Sequence, residues 1–246
     1  DLRLSRGLGD VYKRQILRNR EFCNLSEVVV RPSDNEESLK EKVELATIIG
    51  TFQSTLVNFK YVSNAWKKNC EEERLLGVSL TGIMDNKYTS GKEKGLEGML
   101  DRLREHAVKV NKEWSKKLGI AQAAAITCVK PSGTVSQLVD SASGIHARHN
   151  PYYIRTVRGD KKDPLTQMMI EAGFPAEDDQ MNPTHTTVFS FPIKCDKNAV
   201  FRTDMTAIEQ LELWKLYQVH WCEHKPSVTV SVKENEWMTV GAWVYE

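Results

Sequence analysis

"AAITCVKPSGTVSQL", residues 124–138, decides how the chain is built. Residues 124–130 read as a strand, a short apolar run. Pro131 and Gly133 then enforce a tight turn, and residues 134–142 open a short helix. A strand that passes through one turn into a helix is half of a βα unit. Ser132, Thr134 and Ser136 set hydroxyls beside N–H groups that lack intrahelical partners. With the positive end of the helix dipole, such donors suit a di- or triphosphate. The same residues also suit a plain helix cap, and the turn alone leaves both readings open.

Outward from this stretch the pattern alternates. "CNLSEVVV" (23–30) and "LLGVSLTGIM" (75–84) precede it as strands; "TTVFSFPIK" (186–194) and "SVTVSV" (227–232) follow. "YYIRTVR" (152–158) reads as an extra extended segment. Residues 36–59 read as a helix with Leu39, Val43, Ala46, Ile49 and Gln53 on one face. Residues 97–119 read as a second helix, with Leu96, Met99, Leu103, Ala107, Val110 and Trp114 on one face and Gly119 as its stop. A short helix begins with Pro164 in its first turn and closes at Gly173, and residues 206–224 make another. Five main strands alternating with helices predict an α/β fold with a mostly parallel sheet, in one structural unit.

Composition narrows the function. Hydrophobic residues make up 40% and charged residues 27%, enough for an ordinary globular core. No apolar run approaches the ~20 residues that span a bilayer, and no signal peptide is visible. Five scattered cysteines without a CxxC point to a reducing, cytoplasmic compartment. Residues 1–15 differ in composition and resemble translated sequencing-adaptor sequence, so the fold is expected in 16–246. Without them the formal charge moves from +1 to −1, since they hold four basic and two acidic residues. Neither value, nor any stacking platform, suggests a nucleic-acid surface.

Other motifs are weaker. GxxxxGK[ST] and GxGxxG are absent. "HWCEH" sets His220 and His224 at i and i+4, but no third ligand is fixed by spacing, so no metal site is assigned. Cys23 stands at the leading end of its strand, either as a core cysteine or as a thiol held for chemistry. The other four cysteines read as small core residues.

Together, "CNLSEVVV", "KPSGTVSQLVDSASGIHARHNPYYIRTVR" and "WCEHKPSVTVSV" resemble a ribonucleotide reductase large subunit. The likeness is greatest to the adenosylcobalamin-dependent ribonucleoside-triphosphate reductases and covers residues 16–246. PSGTVSQ followed by SGIH and YYIR, in this order and spacing, is its specific part.

The resemblance implies half of a ten-stranded α/β barrel, the C-terminal one, whose five parallel strands correspond to the five above. It implies that Cys23 is one of two cysteines that reduce the substrate radical and are left as a disulfide. It also implies that Ser132, Gly133, Thr134, Val135 and Ser136 form the substrate-phosphate loop. The family's NPCxE-type loop, with the radical cysteine and its glutamate, would precede residue 16, where this chain reads "VYKRQ". The implied cofactor is adenosylcobalamin, touched somewhere between YYIR and SVTVSV by residues that no motif assigns; the chain has no D-x-H-x-x-G. Implied partners are a ribonucleotide, a thioredoxin-type or other dithiol reductant and, in the intact protein, a dNTP or ATP effector. Nucleic acid and membrane are not among them. Two alternatives stay open: a reductase whose radical comes from a metal-bearing subunit, and a non-catalytic protein that keeps only the phosphate loop. A shared site requires Cys23 and the 132–135 turn at one end of the sheet, on its concave side.

Overall fold

The structure, a computed structural model, describes residues 18–245. They divide into two compact units, one running to Arg148 and resuming at Asn198, the other His149–Lys197. The alternation of strands and helices gave no sign of this division.

The first unit is built on a parallel sheet, β1 (Asn24–Val29), β2 (Leu76–Thr81) and β3 (Thr127–Cys128), in the order β1–β2–β3. The register pairs Asn24 with Leu76, Val29 with Thr81 and Ser79 with Cys128. Every residue of β2 is buried, as befits the central strand. Helix α1 (Glu36–Gln53) crosses from β1 toward β2, started by a reciprocal cap between Asn35 and Ser38. Its Gly50 lies where an added Cβ would be 3.5 Å from Leu76, so the helix packs closely on the sheet. Helix α2 (Asn64–Glu73) follows, and then α3 (Leu96–Leu118) packs on α1 and ends at Gly119 with φ +67°. Val28, Leu76, Val78, Leu80, Leu100 and Leu103 share the core between these layers.

After β3 the turn leads into α4 (Gly133–Leu138). In the second unit, β4 (Tyr152–Asp160), α5 (Pro164–Glu171), β5 (Ala176–Asp178) and β6 (Thr186–Lys194) form an antiparallel sheet ordered β4–β6–β5. Asp163 caps α5 with Pro164 in the first turn. The first unit resumes with α6 (Ala207–His220) and α7 (Trp237–Tyr245).

Three expectations are corrected. "TTVFSFPIK" is a strand, β6, but antiparallel and in the other sheet. The loop from Asp178 to Thr186 is too short for the dozen or more residues of a parallel crossover. "SVTVSV" forms no strand. It starts beside β3, where Ser227 N–H donates to Val129 O at 3.0 Å. Next along that edge stands Pro131, without an N–H, and the chain turns away, so no ladder continues. On α1 the face is rotated from the one expected. Leu39, Val43 and Ala46 are buried, whereas Ile49 is 62% exposed and Gln53 exposed; Thr47, Gly50 and Thr51 are buried instead. Thr47 and Thr51 are satisfied by donating to Val43 O and Thr47 O one turn back, so small polar residues enter the core.

Candidate active site

Alternation along β2 turns Gly77, Ser79 and Thr81 to the side opposite the α1 layer. Cys23 and Cys128 reach the same side from the two neighbours. A Cβ placed on Gly77 would stand 3.3 Å from Cys23 Sγ and 3.4 Å from Cys128 Sγ. Ser79 Oγ donates to Glu27 Oε1 at 3.1 Å and accepts Lys130 N–H at 3.1 Å. One sheet face therefore collects two thiols, a carboxyl, a hydroxyl and a lysine.

Burial pushes the Cys23 thiol up to about 12, against the lowering field of Lys130. Burial raises Cys128 as well. Both are thus protonated thiols near neutral pH, able to give hydrogen but poor as thiolate nucleophiles. Glu27 is also raised by burial, with Ser79 and Lys130 opposing.

Helix α2, which the sequence reading passed over, anchors the approach to Cys23. Arg18 Nη1 donates to Glu72 Oε2 at 3.0 Å, and Asn69 Nδ2 donates to Asn19 O at 2.8 Å. The Phe22 ring stacks on Trp66 with centroids 4.4 Å apart. Asn24 N–H donates to Leu75 O at 2.8 Å and begins the ladder.

The turn is fixed through Thr81, which is fully buried. Its Oγ1 accepts Gly144 N–H at 2.9 Å, donates to Ala142 O at 2.9 Å and lies 2.5 Å from Ser132 Oγ. A hydroxyl has one proton and two lone pairs. With its proton on Ala142, Thr81 satisfies all three contacts only by accepting from Ser132. The Ser132 proton is therefore committed inside the protein. Ser136 Oγ is likewise used, donating to Gly133 O at 2.8 Å. Two of the three hydroxyls expected to face a ligand thus hold the turn together. Gly133, Thr134 and Val135 are exposed. Their N–H groups precede the first helical bond, from Ser136 N to Ser132 O, and have no intrahelical partner.

Cys23 and the turn do not share one end of the sheet. Cys23 precedes β1, whereas the turn follows β3 at the opposite, carboxyl end. They share a face. From the level of Gly77, where the sulfur lies, to Thr81 is four residues, about 13 Å at ~3.3 Å each. His220 and His224 are not paired either, because α6 ends at His220. His220 Nδ1 bonds Asp101 at 2.9 Å, and His224 Nε2 bonds Leu76 O at 2.8 Å. No group of three or more metal-ligating side chains occurs among the described residues. A cavity of about 630 Å³ lies elsewhere, beside α6, lined by Met205, Ile208, Leu213 and Leu216 among others.

The sequence reading missed Glu27, Gly77, Ser79, Cys128 and Lys130. The signal was the small-residue alternation Gly–Ser–Thr in "LGVSLT", which marks a face on which neighbouring side chains can close over the strand.

No protein-family model matches the chain. Over 96% of its length the chain has the fold of a B12-dependent (class II) ribonucleotide reductase, with a TM-score of 0.80 and 26% identity, and it covers 37% of that chain. Its motifs resemble the same class. Among curated proteins it is similar to the adenosylcobalamin-dependent ribonucleoside-triphosphate reductases of Lactobacillus leichmannii (26% identical over 89% of this chain) and Lactobacillus acidophilus (28% over 89%). The reductase of Euglena gracilis is 29% identical over 80% of the chain. The chain spans about a third of the length of these relatives.

Proposed function

We propose that the chain is part of an adenosylcobalamin-dependent ribonucleoside-triphosphate reductase. Cys23 would supply one reducing thiol, and the turn from Ser132 to Val135 would hold the substrate phosphates. The observation that carries this reading is the shared face: a thiol and a set of exposed backbone donors, linked through Thr81, lie about one nucleotide length apart.

In the turn, the N–H groups of Gly133, Thr134 and Val135 and the Thr134 hydroxyl would take the phosphate oxygens. Ser132 and Ser136 would position them. The sugar would then lie along β2 toward Gly77, beside which the Cys23 sulfur sits. Cys23, kept protonated by burial, would deliver hydrogen at the 2′ carbon as the 2′ hydroxyl leaves as water. Two thiols become a disulfide, and their two electrons and two protons convert C–OH to C–H and water. A dithiol reductant would then restore them.

The second unit offers exposed apolar and aromatic surface on which part of a large cofactor would rest. Tyr152 and Ile154 on β4 are each 69% exposed, and Lys194 Nζ lies 6.0 Å from the Tyr152 ring centre. Such residues suit the hydrocarbon edge of a corrin, so Tyr152 and Ile154 would hold it. Adenosylcobalamin, when bound, supplies the initiating radical, which no side chain generates unaided. Cytoplasmic location and an effector in the longer protein belong to the same proposal; no helix among the described residues is long and apolar enough to cross a membrane.

The test is equilibrium binding of a ribonucleoside triphosphate to this chain, beside turnover of a longer homologue with the matching residues. Binding should fall in Thr134→Ala, and turnover should vanish when the Cys23 counterpart becomes serine. The chain alone, with adenosylcobalamin and a dithiol, should make no deoxynucleotide. Full multiple turnover by the serine variant would overturn the reading.

A further inference from the structure

We propose that Lys130 is a second anion-binding group of this face, whose ammonium takes the phosphate nearest the ribose of a bound nucleotide. This rests on the reading of the turn as a phosphate site and names a contact beyond it. The Lys130 main chain is fixed on both sides. Its N–H donates to Ser79 Oγ at 3.1 Å, and its carbonyl packs on Gly144, where an added Cβ would stand 2.7 Å from the oxygen. Gly144 has φ +55°, which glycine adopts without strain, so the close approach is built in. Only the side chain is left to act.

Alternation sends that side chain to the thiol side. Cys128 faces Gly77, Val129 enters the core on the opposite side, and Lys130 follows on the side of Cys128. Its charge is felt there by Cys23, Cys128 and Glu27, and opposes the rise that burial imposes on each. Among the described residues, however, the ammonium has no hydrogen-bond or ion-pair partner. Burial favours the neutral form of Glu27, and Ser79 takes its Oε1, so the lysine charge is left for a ligand.

The position along the sheet selects the phosphate. The Lys130 N–H meets β2 at Ser79, midway between Gly77 and Thr81 and about 7 Å along the strand from each. The exposed turn from Gly133 to Val135 lies beyond Thr81, and the Cys23 sulfur lies at Gly77. A nucleotide with its outer phosphates on the turn and its sugar toward Cys23 carries its first phosphate past Lys130. A compact ammonium with three donors suits a group that presents several acceptor oxygens at once. The turn and Lys130 thus divide the phosphates, with hydroxyl and backbone donors for the outer groups and a full charge for the inner one.

Equilibrium binding of a ribonucleoside triphosphate, CTP, and of its monophosphate, CMP, separates the two contacts, because only the inner phosphate is common to both. Lys130→Met keeps the stem and removes the charge. It should weaken both ligands about thirtyfold, the scale of one hydrogen bond to a charged group. Its urea midpoint should stay unchanged, because the ammonium holds no protein group. Lys130→Arg should restore most of either affinity, and Thr134→Ala should weaken CTP more than CMP. In a second measurement, CTP should slow acetylation of Lys130 by N-hydroxysuccinimidyl acetate, mapped by mass spectrometry, and leave the exposed Lys60 unaffected. Unchanged affinities in Lys130→Met, beside weakened CTP binding in Thr134→Ala, would overturn the lysine contact and leave the turn standing. A loss confined to CTP would overturn the assignment to the inner phosphate. Weakened binding in Lys130→Met with none in Thr134→Ala would support the lysine and count against the Thr134 contact. No binding by the unaltered chain, or no change in either variant, would overturn both.

Discussion

Thr81→Val tests whether the turn is held as described. Valine keeps the shape of threonine but replaces Oγ1 with a methyl group. Ala142 O keeps one partner, because Gly82 N–H also donates to it at 2.8 Å. Gly144 N–H and the Ser132 hydroxyl lose their acceptor at Thr81 in a buried site. Ser132 Oγ still has Ser143 Oγ as an acceptor at 3.4 Å, so Gly144 N–H alone is left unsatisfied and the loss should be about 2 kcal/mol. Thr81→Ser keeps the hydroxyl and removes one methyl, costing about 1 kcal/mol. Urea unfolding of the three chains, compared at constant slope, reads these values directly. The two variants should also differ in triphosphate affinity, because only valine frees the Ser132 side of the turn. Equal midpoints for the valine and serine chains would refute the proton assignment.

Other outcomes follow from single contacts. Thr134→Ala should weaken triphosphate binding about fivefold, one hydrogen bond of about 1 kcal/mol, with unchanged stability. Ser132→Ala should lower stability more than affinity, since its proton serves Thr81; calorimetry of both variants separates the two effects. Tyr217→Phe should cost about 1 kcal/mol in urea unfolding, because the buried hydroxyl donates to Thr89 O at 2.8 Å. His224 is held by burial down to about 4, from 6.5 when unfolded. The unfolded chain then binds more protons between those values, so the stabilisation present above pH 6.5 is lost as pH falls toward 4. The loss is roughly 3 kcal/mol, read from urea midpoints across that range and absent in His224→Gln.

Local signals made β1, β2 and α3 legible, together with the Gly119 stop and the Pro164 start. Each rests on periodicity or on a residue with restricted backbone angles. The fate of "SVTVSV" was not legible, because its alternation is that of a strand and only the neighbouring Pro131 removes its ladder. Helix α2 escaped notice for a different reason: NAWKKNCEEE buries only Cys70 and Glu73, too few positions to show a period. The turn itself was found from Pro131 and Gly133. The commitment of the Ser132 and Ser136 protons depends on Thr81 and Gly133 O, and Thr81 lies some fifty residues away. Cys128 reads as a core residue and is one, buried in the structure; that its sulfur sits beside Gly77 depends on a residue some fifty positions away and was not legible.

The Thr81 hydroxyl also orders the chain in time. It ties residue 81 to 132, 142 and 144, contacts that span 51 to 63 positions. None can persist until β2 and the segment after β3 have come together. Amide exchange should display this as two classes within a dozen residues. Gly144 N–H, held on Thr81, should exchange only when the whole unit opens, whereas the amides of Gly133, Thr134 and Val135 should exchange almost as fast as in an unstructured peptide. A triphosphate seated in the turn would slow the second class and leave the first unchanged. The fold thus carries its own internal clock, against which occupancy of the turn can be read residue by residue.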